Sequence, residues 1–179
     1  MNETMIKIIL DEITLEFDSE QLFCKNYLHY SYDKWNQWKQ GKAALPNEVM
    51  TKIKGLFSDY EWMLMQKVAE QSLFFPEKRN YAVQEFRRLK TLIAKKWIEL
   101  PISYVELVTK TAVNSSKEII NLRVILKYGE WGYDDILNFP MPSYVSKQID
   151  NSTKGLLEWV DHELTEVYVE QNKETTVKK

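Results

Sequence analysis

The spacing of the apolar residues changes at Pro101, and this change limits the chain to a mixed fold. Upstream of that residue, apolar side chains recur at intervals of three and four, as at Ile6, Ile9 and Ile13, which indicates amphipathic helices. Downstream, the segment 120–128 places an apolar residue at every second position, which is typical of a strand with one buried face. The sequence therefore predicts an α+β fold.

Breaks in the pattern set the boundaries of the two regions. Residues 1–100 are predicted to form a helical region that contains a helix-turn-helix. Residues 101–170 are predicted to form a β-hairpin or small antiparallel sheet closed by a C-terminal helix, packed with the first region as one unit. Residues 129–143 contain two Gly and two Pro and are interpreted as an irregular loop, and residues 171–179 are predicted to fray.

Local signals mark the ends of two helices in the first region. Ser58 and Glu61 have the spacing of a capping box, which predicts that a helix begins there. Pro76 interrupts the pattern that follows. The next helix, which ends before Pro101, is predicted to bury an apolar stripe and to carry its basic residues on the other side.

Composition excludes several classes of protein. The chain has 179 residues, of which one is cysteine and two are histidine, so an internal disulfide framework and a cysteine-rich zinc site are excluded. No apolar run approaches the roughly 18 residues needed to span a membrane, and residues 1–10 do not have the pattern of a secretory signal. The residues form no catalytic signature. We therefore expect a cytoplasmic protein that is not an enzyme and that uses no metal, cofactor or membrane.

Residues 30–57 resemble the helix-turn-helix of the lambda-repressor-like (XRE-type) family. The recognition helix of that family has an apolar residue, a Trp three positions later and a Gly three positions after that. A helix that begins with Pro and carries an Ile and a final apolar pair follows it. The matching positions in this chain are Trp35, Trp38, Gly41, Pro46, Ile53, Leu56 and Phe57. The tryptophans, Ile53 and Phe57 are also expected to form the core of this unit.

The resemblance implies which residues would contact duplex DNA. Exposed residues near the start of the recognition helix reach base edges in DNA-binding members, and Lys residues nearby contact phosphates. The matching positions are Ser31, Tyr32, Lys34, Asn36 and Gln37, with Lys39 and Lys42 near the phosphates. The chain departs from the family at Lys25, where a small residue is usual, at His29, where the turn has Gly, and at Asp33.

A second resemblance extends over about 130 residues. Type II-A anti-CRISPR proteins of streptococcal phages place a helix-turn-helix-like helical part before an α+β part. The first matching block is Trp35, Trp38, Lys39, Gly41, Leu56, Phe57, Asp59, Tyr60, Glu61 and Lys67. The later matches are Tyr104 to Leu107, Pro140, Pro142 and Leu157 to Trp159. The resemblance implies a homodimer that binds the RNA-guided effector nuclease of type II CRISPR systems and inhibits it without chemistry.

Aromatic and acidic residues alternate in the segment 130–135. Its members are Glu130, Trp131, Tyr133, Asp134 and Asp135. Acidic charge beside exposed Tyr and Trp is typical of a surface that binds a basic protein partner. The alternative is that Trp131 and Tyr133 are half-buried and only cover the sheet.

The net charge of −2 conceals two regions of opposite charge. Residues 77–97 contain seven Lys or Arg and two Glu, whereas residues 158–170 contain five acidic residues and no Lys or Arg. Two helices of opposite charge can pair reciprocally in a homodimer, or they can simply face solvent. In a DNA complex, Arg87, Arg88 and Lys90 of the basic region would add phosphate contacts.

Two functions follow from the sequence. The first is an inhibitor of a type II CRISPR effector, because residues 1–60 contain 7 Lys and 9 acidic residues, and a DNA-reading module is usually basic. The alternative is a DNA-binding helix-turn-helix transcriptional regulator of a phage or mobile element.

Overall fold

The computed structural model describes residues 1–111, 118–130 and 132–170. The helices are α1 (Glu3–Glu16), α2 (Glu20–Leu22, continued by the π-helical segment Phe23–Leu28), α3 (Tyr32–Lys39), α4 (Asn47–Lys54), α5 (Asp59–Phe74), α6 (Ala82–Trp97) and α7 (Thr153–His162). The strands are β1 (Ser103–Thr111), β2 (Glu118–Leu126) and β3 (Asp135–Pro142). Two 3-10 segments, Pro76–Tyr81 and Ser143–Gln148, and the π-helical segment Glu166–Glu170 complete the described chain.

The three strands form one antiparallel sheet in the order β1-β2-β3. Leu122 on the central strand lies opposite Leu107 on β1 and Phe139 on β3. Nearly every residue of β2 is buried, because it has a neighbouring strand on each side and packed residues on both faces. The predicted α+β architecture, with N-terminal helices, a small antiparallel sheet and a C-terminal helix, is confirmed. The connection between β1 and β2, residues 112–117, lies outside the described residues.

The interpretation of residues 129–143 as an irregular loop is wrong for its second half, which forms β3. Two prolines in eight residues argue against a central strand, but β3 is an edge strand. The backbone N–H of Asn138 points away from β2, towards the Glu61 carboxylate. Pro140 and Pro142 share this alternation, so their nitrogens also point away from β2, where the sheet requires no donor.

Two clusters of buried side chains support the fold. One lies among α1 to α6 and includes Trp35, Trp38, Ile53 and Phe57, as expected for the core of the helix-turn-helix unit. The other lies between the sheet and the C-terminal helical segments, where Phe139 packs edge-to-face on Tyr168. In the described parts of the chain, every helix is too short or too polar to cross a bilayer.

Local sequence signals place the helix ends as predicted. The Ser58 side chain accepts from the Glu61 N–H, and the Glu61 carboxylate accepts from the Ser58 N–H, so the capping box begins α5. This helix ends at Phe74, shortly before Pro76. Gly41 follows α3 with a φ of +70°, a left-handed conformation that glycine adopts without steric cost.

Candidate interaction surfaces

A tight turn joins α2 and its π-helical continuation to α3. His29 occupies the turn with a φ of 52°, which is the left-handed conformation for which glycine is usually preferred. The Tyr30 N–H donates to the Cys24 carbonyl, and the His29 imidazole Nδ1 lies 3.0 Å from the Lys25 carbonyl oxygen. These contacts hold the turn in shape although the expected glycine is absent.

One side of α3 is buried and the other faces solvent. Trp35 and Trp38 point into the core, with their ring centroids 4.5 Å apart. Lys34 and Gln37 therefore lie on the exposed side, and Lys42 is exposed just beyond the helix. Two other residues predicted to contact DNA, Tyr32 and Asn36, are half-buried. The hydroxyl of a third, Ser31, caps α3 by accepting a hydrogen bond from the Lys34 N–H.

Lys39 connects α3 to α2. Its ammonium lies 2.6 Å from the Glu20 carboxylate, and the same oxygen accepts from the Trp35 indole N–H at 2.8 Å. Its charge is thus already paired within the protein. Of the positions predicted to contact DNA on this unit, the structure exposes Ser31, Lys34, Gln37 and Lys42, and the Ser31 hydroxyl is engaged in the helix cap.

The expectation that the basic residues of α6 face outward is wrong for Arg87 and Lys90. Both are buried, and Arg87 forms a two-pronged ion pair with Asp11 on α1 at 2.6 and 2.8 Å. Arg88 is exposed, but its guanidinium binds the Glu85 carboxylate of its own helix. Arg87 and Lys90 therefore support the packing of α6 and are not available to a nucleic acid.

Lys90 closes the outer edge of the sheet. Its ammonium lies 3.0 Å from the Glu61 carboxylate and donates to the Asn138 carbonyl of β3. The Glu61 carboxylate accepts from the Asn138 N–H at 2.6 Å, and the Ser58 hydroxyl donates to the Ile136 carbonyl. These bonds satisfy backbone groups of an edge strand that would otherwise invite pairing with another chain. The apolar stripe of α6 contained the signal for this role, because Lys90 lies four residues from both Phe86 and Ala94.

Charged groups surround Lys90 inside the protein. Burial opposes its charged form, but the Glu61 carboxylate, followed by Tyr168 and Glu12, outweighs burial and raises the pKa of Lys90 above its ordinary value. Glu12 on α1 is also buried, and burial raises its pKa to about 8 although Lys90 acts in the opposite direction. Tyr168 lies within 3.2 Å of the Lys90 ammonium, and burial raises the pKa of its phenol to about 12. This cluster connects α1, α5, α6, β3 and the C-terminal segment.

The turn between β2 and β3 presents the acidic and aromatic residues predicted to bind a partner. Trp131 lies outside the described residues. Tyr133 is 72% exposed, so the alternative in which it covers the sheet is wrong. Tyr128, Glu130 and Tyr133 line an open hollow of about 400 Å³. Residues 128–135 include three carboxylates and no Lys or Arg, so this surface is acidic.

Two of those carboxylates hold the turn in shape. Asp134 accepts from the Tyr128 N–H at 3.2 Å, and Asp135 accepts from the Tyr128 hydroxyl at 3.0 Å. The hydrogen bond to Asp135 raises the pKa of Tyr128. The Tyr133 N–H donates to the Glu130 carbonyl at 3.2 Å, which closes the tip. The exposed phenol of Tyr133 therefore projects from a turn whose described residues are joined by hydrogen bonds.

Comparison with known proteins finds no protein family and no curated protein that match this sequence. Among the described residues, no group of three or more His, Cys, Asp or Glu is placed to hold a metal ion. Of the binding surfaces predicted from the sequence, two are exposed in the structure. They are the outer side of α3 and the acidic turn between β2 and β3.

Proposed function

We propose that this protein is an anti-CRISPR-like inhibitor, which binds a type II RNA-guided effector nuclease and blocks target DNA binding or cleavage without catalysis. The observation that carries the proposal is the acidic turn with Tyr133 exposed at its tip. The resemblance of the chain to anti-CRISPR proteins of streptococcal phages supplies the identity of the partner.

The chemistry of the turn suits the surfaces that such a nuclease must present. The enzyme holds its heteroduplex in a positively charged channel and reads its PAM through arginines. Carboxylates on the turn can pair with those cations in place of DNA phosphates, and Tyr133 can serve as a central aromatic anchor. Because hydrogen bonds from Tyr128 already order the turn, binding costs less conformational entropy than ordering a flexible loop.

A cleavage assay tests this proposal. Purified protein is mixed with guide-loaded nucleases from several Gram-positive hosts, and cleavage of a matched target is followed over time. We expect the wild-type protein to slow at least one nuclease, and Tyr133→Ala and Glu130→Lys to inhibit less. Tyr144→Ala is the matched control, because Tyr144 is also exposed but lies in the 3-10 segment that follows β3. Equal inhibition by Tyr133→Ala and the wild type would place the binding surface elsewhere.

A second candidate function is a DNA-binding regulator of a phage or mobile element. The observation that favours it is the exposed side of α3, where Lys34 and Gln37 face solvent behind a turn held by left-handed His29. Lys39 is paired with Glu20, and Arg87 and Lys90 are buried, so within the described part of the chain Lys34 and Lys42 are the exposed lysines of this surface that can bind phosphates. Each phosphate neutralised contributes about 0.9 to the slope of log affinity against log salt, so we expect a shallow slope near 2 per protomer.

Gel-shift assays with the DNA upstream of the protein's own gene test this second candidate. If α3 reads DNA, Lys34→Glu weakens the shift, and the control Lys96→Glu, which changes an exposed lysine of α6, does not. A specific nanomolar complex that depends on Lys34, with no nuclease inhibited, would replace the first proposal by the second.

Both candidates act in the bacterial cytoplasm, and the proposal includes a homodimer. A two-fold dimer would present two copies of each surface, which increases affinity for a partner that can engage both. Sedimentation velocity at micromolar concentrations tests this part independently of any partner. Sedimentation as a monomer throughout would contradict it.

A further inference from the structure

The end of α5 and the 3-10 segment after it expose three aromatic side chains. Phe74 is 71% exposed, Phe75 46% and Tyr81 64%. At about 200 Å² per large aromatic residue, these three residues together leave about 360 Å² exposed to water. This area matches the largest apolar patches on soluble monomers, which are often functional. None of the predicted site residues lies in this patch.

A hollow of about 250 Å³ lies next to Tyr81, one of these three residues. Its lining includes the apolar residues Val68, Ala82 and Leu89, and Tyr81 stands at its edge. A cavity of about 150 Å³ is large enough to bind benzene, so this hollow can accept a phenylalanine ring. Phe74 follows Gln71, another lining residue, by one helical turn and therefore lies beside the hollow. Its ring nevertheless points into solvent and leaves the hollow of its own chain open.

The rim of the hollow carries charges of both signs. Lys67 and Lys78 contribute cations and Glu77 contributes a carboxylate, whereas the Glu85 carboxylate is already bound by Arg88. Lys78 lies 4.9 Å from the centre of the Phe75 ring, which makes the charged rim continuous with the aromatic patch. A surface with both a projecting ring and a hollow, and with both signs of charge, is complementary to a second copy of itself. A two-fold axis brings the two copies together in that way.

We infer that this patch is the two-fold interface of a homodimer, in which Phe74 of each protomer enters the hollow of the other. The inference rests on the homodimer of the proposed function and names its surface, but it does not depend on the nuclease. In this dimer the Phe74 ring would fill the space above Leu89 of the second copy, and Lys67 and Lys78 of one rim would face Glu77 of the other. Burying a ring in an apolar pocket at the centre of an interface is the arrangement that contributes most to association.

Sedimentation velocity of the wild-type protein and two variants tests the assignment. The wild-type protein is expected to sediment as a dimer at micromolar concentrations. Phe74→Asp is expected to raise the dissociation constant of the dimer at least tenfold. Tyr144→Asp, a substitution at another exposed aromatic residue, is expected to leave it within twofold of the wild-type value. Because Phe74 is exposed in the protomer, its substitution leaves the fold intact, and circular dichroism verifies this.

Photo-crosslinking identifies the contact itself. With p-benzoylphenylalanine at position 74, illumination is expected to give a covalent dimer whose crosslinked peptide lies within residues 67–89 of the second chain. A wild-type monomer, a dimer unaffected by Phe74→Asp, or a crosslink to a different segment would each overturn the assignment. Nuclease inhibition measured on the same preparations separates the two proposals. Loss of inhibition in Tyr133→Ala with the dimer intact tests the acidic turn alone.

Discussion

Replacing Lys90 by methionine removes one charge from the buried cluster and keeps a side chain of similar length. Three losses follow. The Glu61 carboxylate stays buried without its cation, and the Asn138 carbonyl on the edge of β3 and the Tyr168 hydroxyl each lose a donor. Removal of one partner from a buried ion pair costs about 3–5 kcal/mol, mainly because the remaining charge is uncompensated. Little cavity cost is added, since methionine fills most of the same volume.

The expected decrease in the free energy of unfolding is large compared with the total stability of a domain, which is about 5–15 kcal/mol. Urea denaturation followed by tryptophan fluorescence and circular dichroism measures it. The control is Lys96→Met, which removes an exposed lysine from the same helix and should change the free energy of unfolding by less than about 0.5 kcal/mol.

A double variant separates charge from packing. In Lys90→Met, the further change Glu61→Gln removes the uncompensated carboxylate, so it should cost less there than in the wild-type background. The positive coupling between the two sites is the signature of the ion pair. If Lys90→Met costs less than about 1 kcal/mol, or the two substitutions simply add, the ion pair does not hold the edge of β3 as argued.

Two further predictions concern the same region. Burial raises the pKa of Glu12 from 4.5 to about 8, so the folded state binds this proton more tightly than the unfolded chain. The resulting stability is fully present below about pH 4.5 and is lost as pH rises towards 8, at no more than about 1.4 kcal/mol per pH unit. Glu12→Gln should therefore stabilise the protein relative to wild type at pH 8.5 and change it little at pH 4.5, as thermal unfolding at both values will show; equal effects at the two pH values would contradict the assignment. Ser58→Ala should lower the free energy of unfolding by about 2 kcal/mol, because the capping bond and the bond to the Ile136 carbonyl are both lost. Ser152→Ala, at the cap of α7, is the control and should lower the free energy of unfolding by about 1 kcal/mol. Equal losses in the two variants would show that the bond from Ser58 to the Ile136 carbonyl does not contribute to stability.

Features decided by neighbouring residues were predictable from the sequence. The capping box at Ser58, the end of α5 before Pro76 and the left-handed Gly41 depend on a few adjacent positions, and each occurs in the structure. The burial of Trp35 and Trp38 likewise follows from their spacing on α3. Local patterns therefore established the helices and most of the core.

Features decided by tertiary neighbours were not predictable in the same way. Pro140 and Pro142 argued against a strand, and only the position of β3 at the sheet edge makes them compatible with one. The charge of Lys90 predicts an exposed side chain, whereas its place in the apolar stripe of α6 predicts a buried one, and the side chain is buried. Its partner Glu61 is on another helix, and no periodicity in the sequence relates the two.

The candidate site also combines features that the sequence predicts with features that only tertiary contacts determine. The acidic and aromatic composition of residues 130–135 was visible in the sequence, but the exposure of Tyr133 was not. That exposure depends on hydrogen bonds from Tyr128 to Asp134 and Asp135, which form because β2 and β3 bring the ends of the turn together.

Equilibrium binding to a guide-loaded type II nuclease is the most direct test of the proposed function. The wild-type protein, Tyr133→Ala and the control Tyr144→Ala are titrated against the immobilised nuclease at low and at physiological salt. Tyr133→Ala is expected to weaken binding about 30-fold, which corresponds to the loss of about 2 kcal/mol from a central anchor. Tyr144→Ala is expected to change the dissociation constant less than twofold. Binding that is equally strong in all three proteins, or no binding to any nuclease, would contradict the assignment of the acidic turn as the inhibitory surface.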